Sequence, residues 1–473
     1  MPIKIDALPD VPPTKYHNYK EMIEKMKMIN KRWPKLTKMY KLEEPTCCGR
    51  DLWVMQISLD VHKERADLKP MCKYVGGIHG NEAVGKEMLL SFTEYLLERY
   101  FSGKDKDIES LINNTDIHIL FSMNPDGFEK ATLGDCIEHS NESGRKNGRN
   151  KDLNRNFPTK DELRNHERML FEGREPETRS VMRWILDNPF VLSIGFHGGA
   201  VVSSYPYDDG MLGRWIVPGT VSKTPDHKLF KHLALVYASN HKDMSERKCQ
   251  TQERGFTNGI TNGAEWYVLK GGMQDFNYLF TNCFEITVEL SCCKYPKASD
   301  LPIEWNKNVN SLIKFIENVH IGVKGHVLKF DGSPAENAYV VVMGNDKLVK
   351  TTERGEFWRL LLPGSYTIFA KTADSKIRSK HTKIHITGSN VLLVALRLLS
   401  HTNATESSKK IESTKSQFST FYNIHSTRTA VTCNGCSFKF TLNIILTIFN
   451  NIFIKSVIIS KISFIHLMMY FAT

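Results

Sequence analysis

The feature that most constrains this chain is a change of period near residue 320. Before it, short apolar runs of strand length alternate with longer runs of helical period; after it, only short strands between turn residues remain. Residues 17–33 place Tyr19, Met22, Ile23, Met26 and Ile29 on one helical face. Residues 52–59 and 73–75 read as strands, 83–100 as a long helix, and 116–122 as a strand closed by the turn signal Asn124-Pro-Asp-Gly127. A helix carrying Val181, Trp184 and Ile185 stops near Pro189, and a strand over 190–196 follows. A last strand, 284–290, precedes a helix whose apolar face is Trp305, Val309, Leu312, Ile313 and Ile316. This alternation predicts an α/β domain with a mixed, mostly parallel sheet flanked by helices.

Beyond His320, strands over 322–329, 338–343, 355–360 and 365–370 are punctuated by Gly332, Gly344, Gly355 and Pro363-Gly364. That texture predicts a small all-β sandwich. The expected organisation is a leader (1–12), an α/β domain (13–319), a β-sandwich (320–398), and a polar spacer with an apolar tail (399–473). In the tail, Lys455 and Lys461 interrupt the apolar run, so no uncharged stretch reaches the ~20 residues of a spanning helix. A polar spacer plus apolar tail also has the form of a removable lipid-anchor signal. Translated A/T-rich noncoding sequence would give the same Ile, Phe, Asn and Lys bias.

Charge and cysteines narrow the class of function. The net charge is +11, but seven Lys/Arg against two Glu after Leu399 account for +5 of it. The remaining excess is unclustered, which argues against a nucleic-acid partner. Ten cysteines form no zinc-ribbon array, and Cys433-Asn-Gly-Cys436 lacks partner ligands. Cys292 and Cys293 are adjacent and suited to distant partners; with sequons at Asn113, Asn141 and Asn403 they point to an oxidising compartment. The first ten residues, without an apolar run of signal-peptide length, point the other way. The expectation is an extracellular or cell-surface protein.

Four motifs carry the chemistry. In Gly76-Gly-Ile-His79-Gly-Asn-Glu82, a His and a carboxylate at i and i+3 can converge on one metal ion at a strand end. Phe196-His197-Gly-Gly, at the end of another strand, offers a third ligand. In open α/β sheets that edge holds ligands. Glu289 interrupts an apolar strand, and a buried carboxylate needs a partner or a function. Between Gly144 and Pro158, Arg145, Arg149, Asn154 and Arg155 suit bidentate capture of a carboxylate. Two His and one Glu leave an open position for water on zinc, a further Glu can act as base, and an Arg can stabilise an oxyanion. The combination describes hydrolysis of a terminal peptide bond beside a free carboxylate.

These motifs, with Thr261-Asn-Gly-Ala-Glu-Trp-Tyr267, Gly271-Gly-Met-Gln-Asp275 and Glu289-Leu-Ser-Cys-Cys-Lys-Tyr-Pro296, resemble the zinc metallocarboxypeptidases. The resemblance is to their regulatory N/E branch, which includes carboxypeptidases M and D, and covers residues 16 to 398. It implies that His79, Glu82 and His197 bind one Zn2+ and that Glu289 activates water. Arg145 would polarise the scissile carbonyl, Asn154 and Arg155 would anchor the substrate carboxylate, and Tyr267, rather than a structural Tyr278, would close over the substrate. Asp208, joined by Gln274, would face the departing side chain and favour Lys or Arg by charge pairing, making basic peptide or protein C-termini the expected partners. By the same analogy, residues 320–398 are a transthyretin-like module, Cys136 pairs with Cys293, and Cys249 with Cys292. The chain departs from the family pattern at Thr46-Cys-Cys-Gly49 and at Asn150, where a Gly often stands. The competing readings are a catalytically inactive binding protein on this fold, which the intact ligand set opposes, and a cytosolic carboxypeptidase for acidic tails, which Asp208 opposes.

Overall fold

A computed structural model describes residues 12–136, 143–164, 170–212, 215–216, 219–246, 249, 255–388 and 391–399. The leader up to residue 11, the sequons at Asn141 and Asn403, the Cys433/Cys436 pair and the tail from residue 400 lie outside the described residues. Among the described residues, no helix is long and apolar enough to cross a membrane.

Eight strands build the main sheet: β1 (Thr37–Lys41), β2 (Trp53–Ile57), β3 (Met71–Gly76), β4 (Asp116–Leu120), β5 (Phe190–His197), β6 (Ala200–Tyr205), β9 (Ile260–Asn262) and β10 (Phe284–Ser291). Their order is β1-β2-β4-β3-β5-β10-β6-β9. Pairs β3/β4, β3/β5, β5/β10 and β6/β9 are parallel, whereas β1/β2, β2/β4 and β6/β10 are antiparallel. A two-residue hairpin, β7 (Met211–Leu212) with β8 (Trp215–Ile216), stands apart.

Every residue of β3, β4 and β5 is buried, because helices cover both faces of the sheet. Alternate residues feed different apolar clusters: Cys72 and Tyr74 join one, Met71 and Val75 the other. The first cluster packs under helices Tyr19–Arg32, Val84–Ser102, His227–Asn240 and Leu301–Glu317, and the second under Pro176–Asp187 and Met273–Phe280. The N-terminal helix opens on a capping box. The Asn18 side chain accepts the Glu21 amide at 3.0 Å, and the Glu21 carboxylate accepts the Asn18 amide at 2.9 Å. Of its predicted face, Met22, Met26 and Ile29 are buried, while Ile23 lies half-buried at the edge.

After Val319 the architecture changes. Strands β11 (Val323–Leu328), β14 (Glu356–Arg359) and β17 (Leu392–Arg397) form one sheet. Strands β12 (Tyr339–Val342), β13 (Val349–Lys350), β15 (Gly364–Lys371) and β16 (Thr382–Ile386) form another. Val323, Val327, Val340, Phe357, Ile368 and Ile384, drawn from both sheets, share one apolar core. This region sits firmly on the α/β body: the buried Arg359 guanidinium lies 2.6 Å from Asp226, and Trp358 and Leu360 belong to the body's own core. Disulfides join Cys136 to Cys293 and Cys249 to Cys292, closing spans of 157 and 43 residues. In a chain-entropy picture each is worth on the order of 4–5 kcal/mol.

Candidate active site

The site lies at the C-terminal edge of the parallel strands. Chain leaving β3 at Gly76 carries His79 and Glu82 before helix Val84–Ser102 begins. The turn tolerates no bulk at Gly80, where a Cβ would stand 2.1 Å from the Phe128 amide nitrogen. His197 is the last residue of β5, and parallel pairing sets Glu289 of β10 directly opposite it. Local sequence thus supplies two strand ends and a tight turn, and hydrogen-bond register aligns them.

Glu82 Oε2 lies 3.0 Å from His79 Nδ1 and 2.9 Å from His197 Nδ1, and all three side chains are buried. The three donor atoms fall within 4.8 Å of one another. Two imidazoles and a carboxylate form a donor set suited to catalytic zinc. Asp152 Oδ1, 3.0 Å from His79 Nε2, supports the far side of that ring and leaves Nδ1 facing the site. Burial lowers the pKa of His197, which favours the neutral ligand form.

Arg145 flanks this centre. Its guanidinium lies 3.2 Å from Glu82 Oε1 and 3.1 Å from Asp152 Oδ2. Burial works to raise the Asp152 pKa, but His79, Arg145 and Arg155 outweigh it and hold the carboxyl far below the usual range. Lys294 Nζ stands 3.3 Å from Glu82 Oε1. Asn154 accepts the Met273 amide at 3.0 Å and donates its own amide to Asp152 at 2.9 Å, while Arg155 is exposed. Asn150 has φ +62°, a left-handed conformation that Asn tolerates better than most residues; this explains how it replaces Gly.

Asp208, just past β6, is buried in the wall of a pocket lined by Asn154, His197, Tyr267, Leu269 and Glu289. Gln274 Nε2 donates to Asp208 Oδ1 at 2.8 Å. Asp275 accepts the backbone amides of Asp208 and Asp209, each at 3.0 Å, and so sets the bend that aims Asp208 inward. Gly263 makes room for it, since a Cβ there would lie 1.8 Å from Asp208 Oδ1. Burial, then the charge of Asp275, pushes the Asp208 carboxyl well above the usual range; Asp275, also buried, is pushed up to about 7. Tyr267 is 42% exposed as a residue and lines the pocket; desolvation and then Glu289 raise its pKa. Tyr278 is buried and donates to Asp226 at 2.8 Å, away from the site.

The ten residues given roles by the resemblance gather around one centre, whereas Arg149, also offered from sequence for carboxylate capture, lies exposed 3.8 Å from Glu175. Three contributors were missed: Asp152, Lys294 and Asp275. Each lies within a quoted motif, but nothing local marks which residue of the motif turns inward.

The zinc carboxypeptidase family model matches residues 22–311. Carboxypeptidase M of Mus musculus is 43% identical over 359 residues, covering 75% of this chain and 77% of that protein. The carboxypeptidase N catalytic chain of Mus musculus is 42% identical over 373 residues, covering 76% and 80%. Carboxypeptidase D of Drosophila melanogaster is 43% identical over 363 residues, which are 76% of this chain but 25% of that protein. The chain thus spans about a quarter of that relative. The crystal structure of thrombin-activatable fibrinolysis inhibitor matches with a TM-score of 0.50 at 21% identity, covering 65% of this chain and 75% of that one, and shows the shared fold. The sequence match, together with the two-His, one-Glu centre, places this chain in the zinc carboxypeptidase family.

Proposed function

We propose that the chain is a zinc-dependent exopeptidase that hydrolyses the last peptide bond of peptides and proteins ending in Lys or Arg. The observation that carries this reading is the single pocket in which buried Asp208 faces the same space as His197 and Glu289. A buried carboxylate adjacent to a hydrolytic centre selects a cationic side chain.

His79, Glu82 and His197 hold the zinc, which when bound supplies Lewis-acid polarisation of the scissile carbonyl. Glu289 takes a proton from the attacking water and delivers it to the departing amine. Arg145, beside Glu82, stabilises the developing oxyanion. Asn154 and Arg155 receive the terminal carboxylate, which positions the last peptide bond and no other. Tyr267 closes over the bound residue, and Asp208 with Gln274 receives its cationic end.

Residues 13–319 constitute the catalytic domain in this reading, and 320–398 a transthyretin-like β-sandwich; two sheets around one apolar core support the latter. Two disulfides support an extracellular or cell-surface location. The proposed tail beyond residue 399 would serve membrane attachment.

The test is turnover by the zinc-loaded protein of matched peptides ending in Arg, Lys, Phe or Glu. Hydrolysis of the Arg and Lys peptides well above the other two is expected. Equal turnover of the Phe peptide would remove the role of Asp208, and no turnover of any would leave a binding protein.

A further inference from the structure

The Thr46-Cys-Cys-Gly49 segment, where the chain departs from its family, occupies a built and chemically unusual position. Cys47 Sγ and Cys48 Sγ lie 4.0 Å apart, and Cys47 Sγ lies 3.7 Å from Asp126 Oδ2. The three donor atoms fall within 4.8 Å of one another, and Cys47 also groups with Glu175 and Glu177 on its other side. Two sulfurs sharing a tetrahedral zinc-class ion stand about 3.8 Å apart, and a sulfur and a carboxylate oxygen about 3.5 Å, from metal–ligand lengths of about 2.3 and 2.0 Å. The observed spacings need only small adjustments to match. Arg50 and the Cys48 amide hold Asp126: the guanidinium takes Oδ1 at 2.5 Å and the amide takes Oδ2 at 3.2 Å, so the carboxylate is already oriented with Oδ2 toward the thiols.

A second observation concerns charge. Glu177 is fully buried, accepting the Cys47 amide at 3.0 Å and the Asn147 amide group at 3.2 Å. Among the described residues, no Lys, Arg or His lies within ion-pair distance of it. A buried carboxylate beside two thiols is an environment that a cation would complete. Cys48 is exposed, which leaves an entry path and a face for solvent ligands.

We propose that Cys47, Cys48 and Asp126 form a second binding site, independent of the peptidase centre, for a thiophilic divalent cation of the zinc class. Binding deprotonates both thiols and releases their protons to solvent, with no change of oxidation state. Glu177 acts behind the ligands by holding the Cys47 backbone. The site also touches the substrate loop: a Cβ on Gly148 would lie 2.3 Å from Cys48 Sγ and 2.7 Å from Cys47 Sγ. Occupancy therefore secures the chain between Arg145 and Arg155 against the segment that connects β1 to β2.

The test titrates the zinc-free full chain, purified without reductant and carrying Cys433→Ser and Cys436→Ser to silence the tail thiols, with Cd2+ while following the ultraviolet thiolate-to-cadmium charge-transfer band. The peptidase centre has no sulfur ligand and contributes nothing to that band. A band saturating at one cation per chain is expected, unchanged in Glu82→Gln and lost in the double variant Cys47→Ser/Cys48→Ser. That double variant should still hydrolyse Arg-ended peptides once zinc-loaded. Because Cys48 is exposed, Cys48→Ser alone checks the result with little burden on folding and should lower the band by about half. Absence of a band with Cys47 and Cys48 intact would overturn the proposal. So would a band undiminished by the serine variants, which would trace it to Cys72 or Cys283, or mass-spectrometric detection of Cys47 joined to Cys48.

Discussion

The two halves of the site are built differently. The metal-binding half stands on regular structure: His197 and Glu289 are paired positions on adjacent parallel strands, and His79 and Glu82 leave the end of the next strand across. The half proposed to face the substrate's side chain and carboxylate is made of loops. There, side-chain acceptors take over the role of the sheet: Asp275 holds the amides of Asp208 and Asp209, and Asn154 holds that of Met273. Register leaves little freedom, because a one-residue slip would turn His197 or Glu289 to the opposite face. Loop anchoring can be altered residue by residue. In the proposed mechanism the metal and the base stand on the rigid half, and selectivity belongs to the adjustable one.

The largest expected effect breaks the first half. Glu289→Gln should lower kcat by ~10²–10⁴-fold while the zinc content per chain stays constant; loss of metal in this variant would make Glu289 a zinc holder instead. Next, Asp208→Asn should weaken kcat/KM for Arg-ended peptides by about 2–5 kcal/mol, roughly 30-fold or more, and leave Phe-ended peptides unharmed. A parallel fall for both peptides would assign Asp208 to folding. Asp152→Asn should cost about 10–100-fold in zinc affinity, read by dialysis against graded chelator, with selectivity between Arg and Phe peptides preserved.

A pH series sharpens the comparison with a smaller effect. Burial and Asp275 raise the Asp208 pKa, so its charged form predominates only above that raised value. As pH falls through it, KM for Arg-ended peptides should rise, and Asp208→Asn should abolish this dependence while keeping any arising from Glu289. The smallest effect on activity belongs to Arg359→Met, far from the pocket. It leaves Asp226 without its buried ion-pair partner, so thermal unfolding should show a loss of about 3–5 kcal/mol with near-normal hydrolysis.

Much of the fold was legible because strands β3, β4, β5 and β10 are short, mostly apolar runs bounded by turn or helix signals. Other elements were not. Strand β6 ends in Ser-Ser-Tyr and β9 is Ile-Thr-Asn; both are strands because β10 and β6 supply pairing partners, not because of local propensity. Helix His227–Asn240 begins after Asp226, a capping residue type, but that side chain caps no amide and instead binds Arg359. Nothing local marks Lys73 and Glu285 as partners, yet they form a fully buried pair at 3.1 Å in the middle of the sheet.

By itself, the sequence determined which chemical groups are available and where each local element begins: a His and a Glu three residues apart after a strand, a His ending another, and an Arg- and Asn-bearing loop. The tertiary structure alone decided that Glu82 and His197, 115 residues apart, share one oxygen-to-nitrogen contact, that Asp152 stands behind His79, and that Asp208 turns inward. The physical reason is that local sequence sets propensity and side-chain type. Distances across a site, and the desolvation that gives its charges their strength, arise only when strand register and packing bring distant segments together.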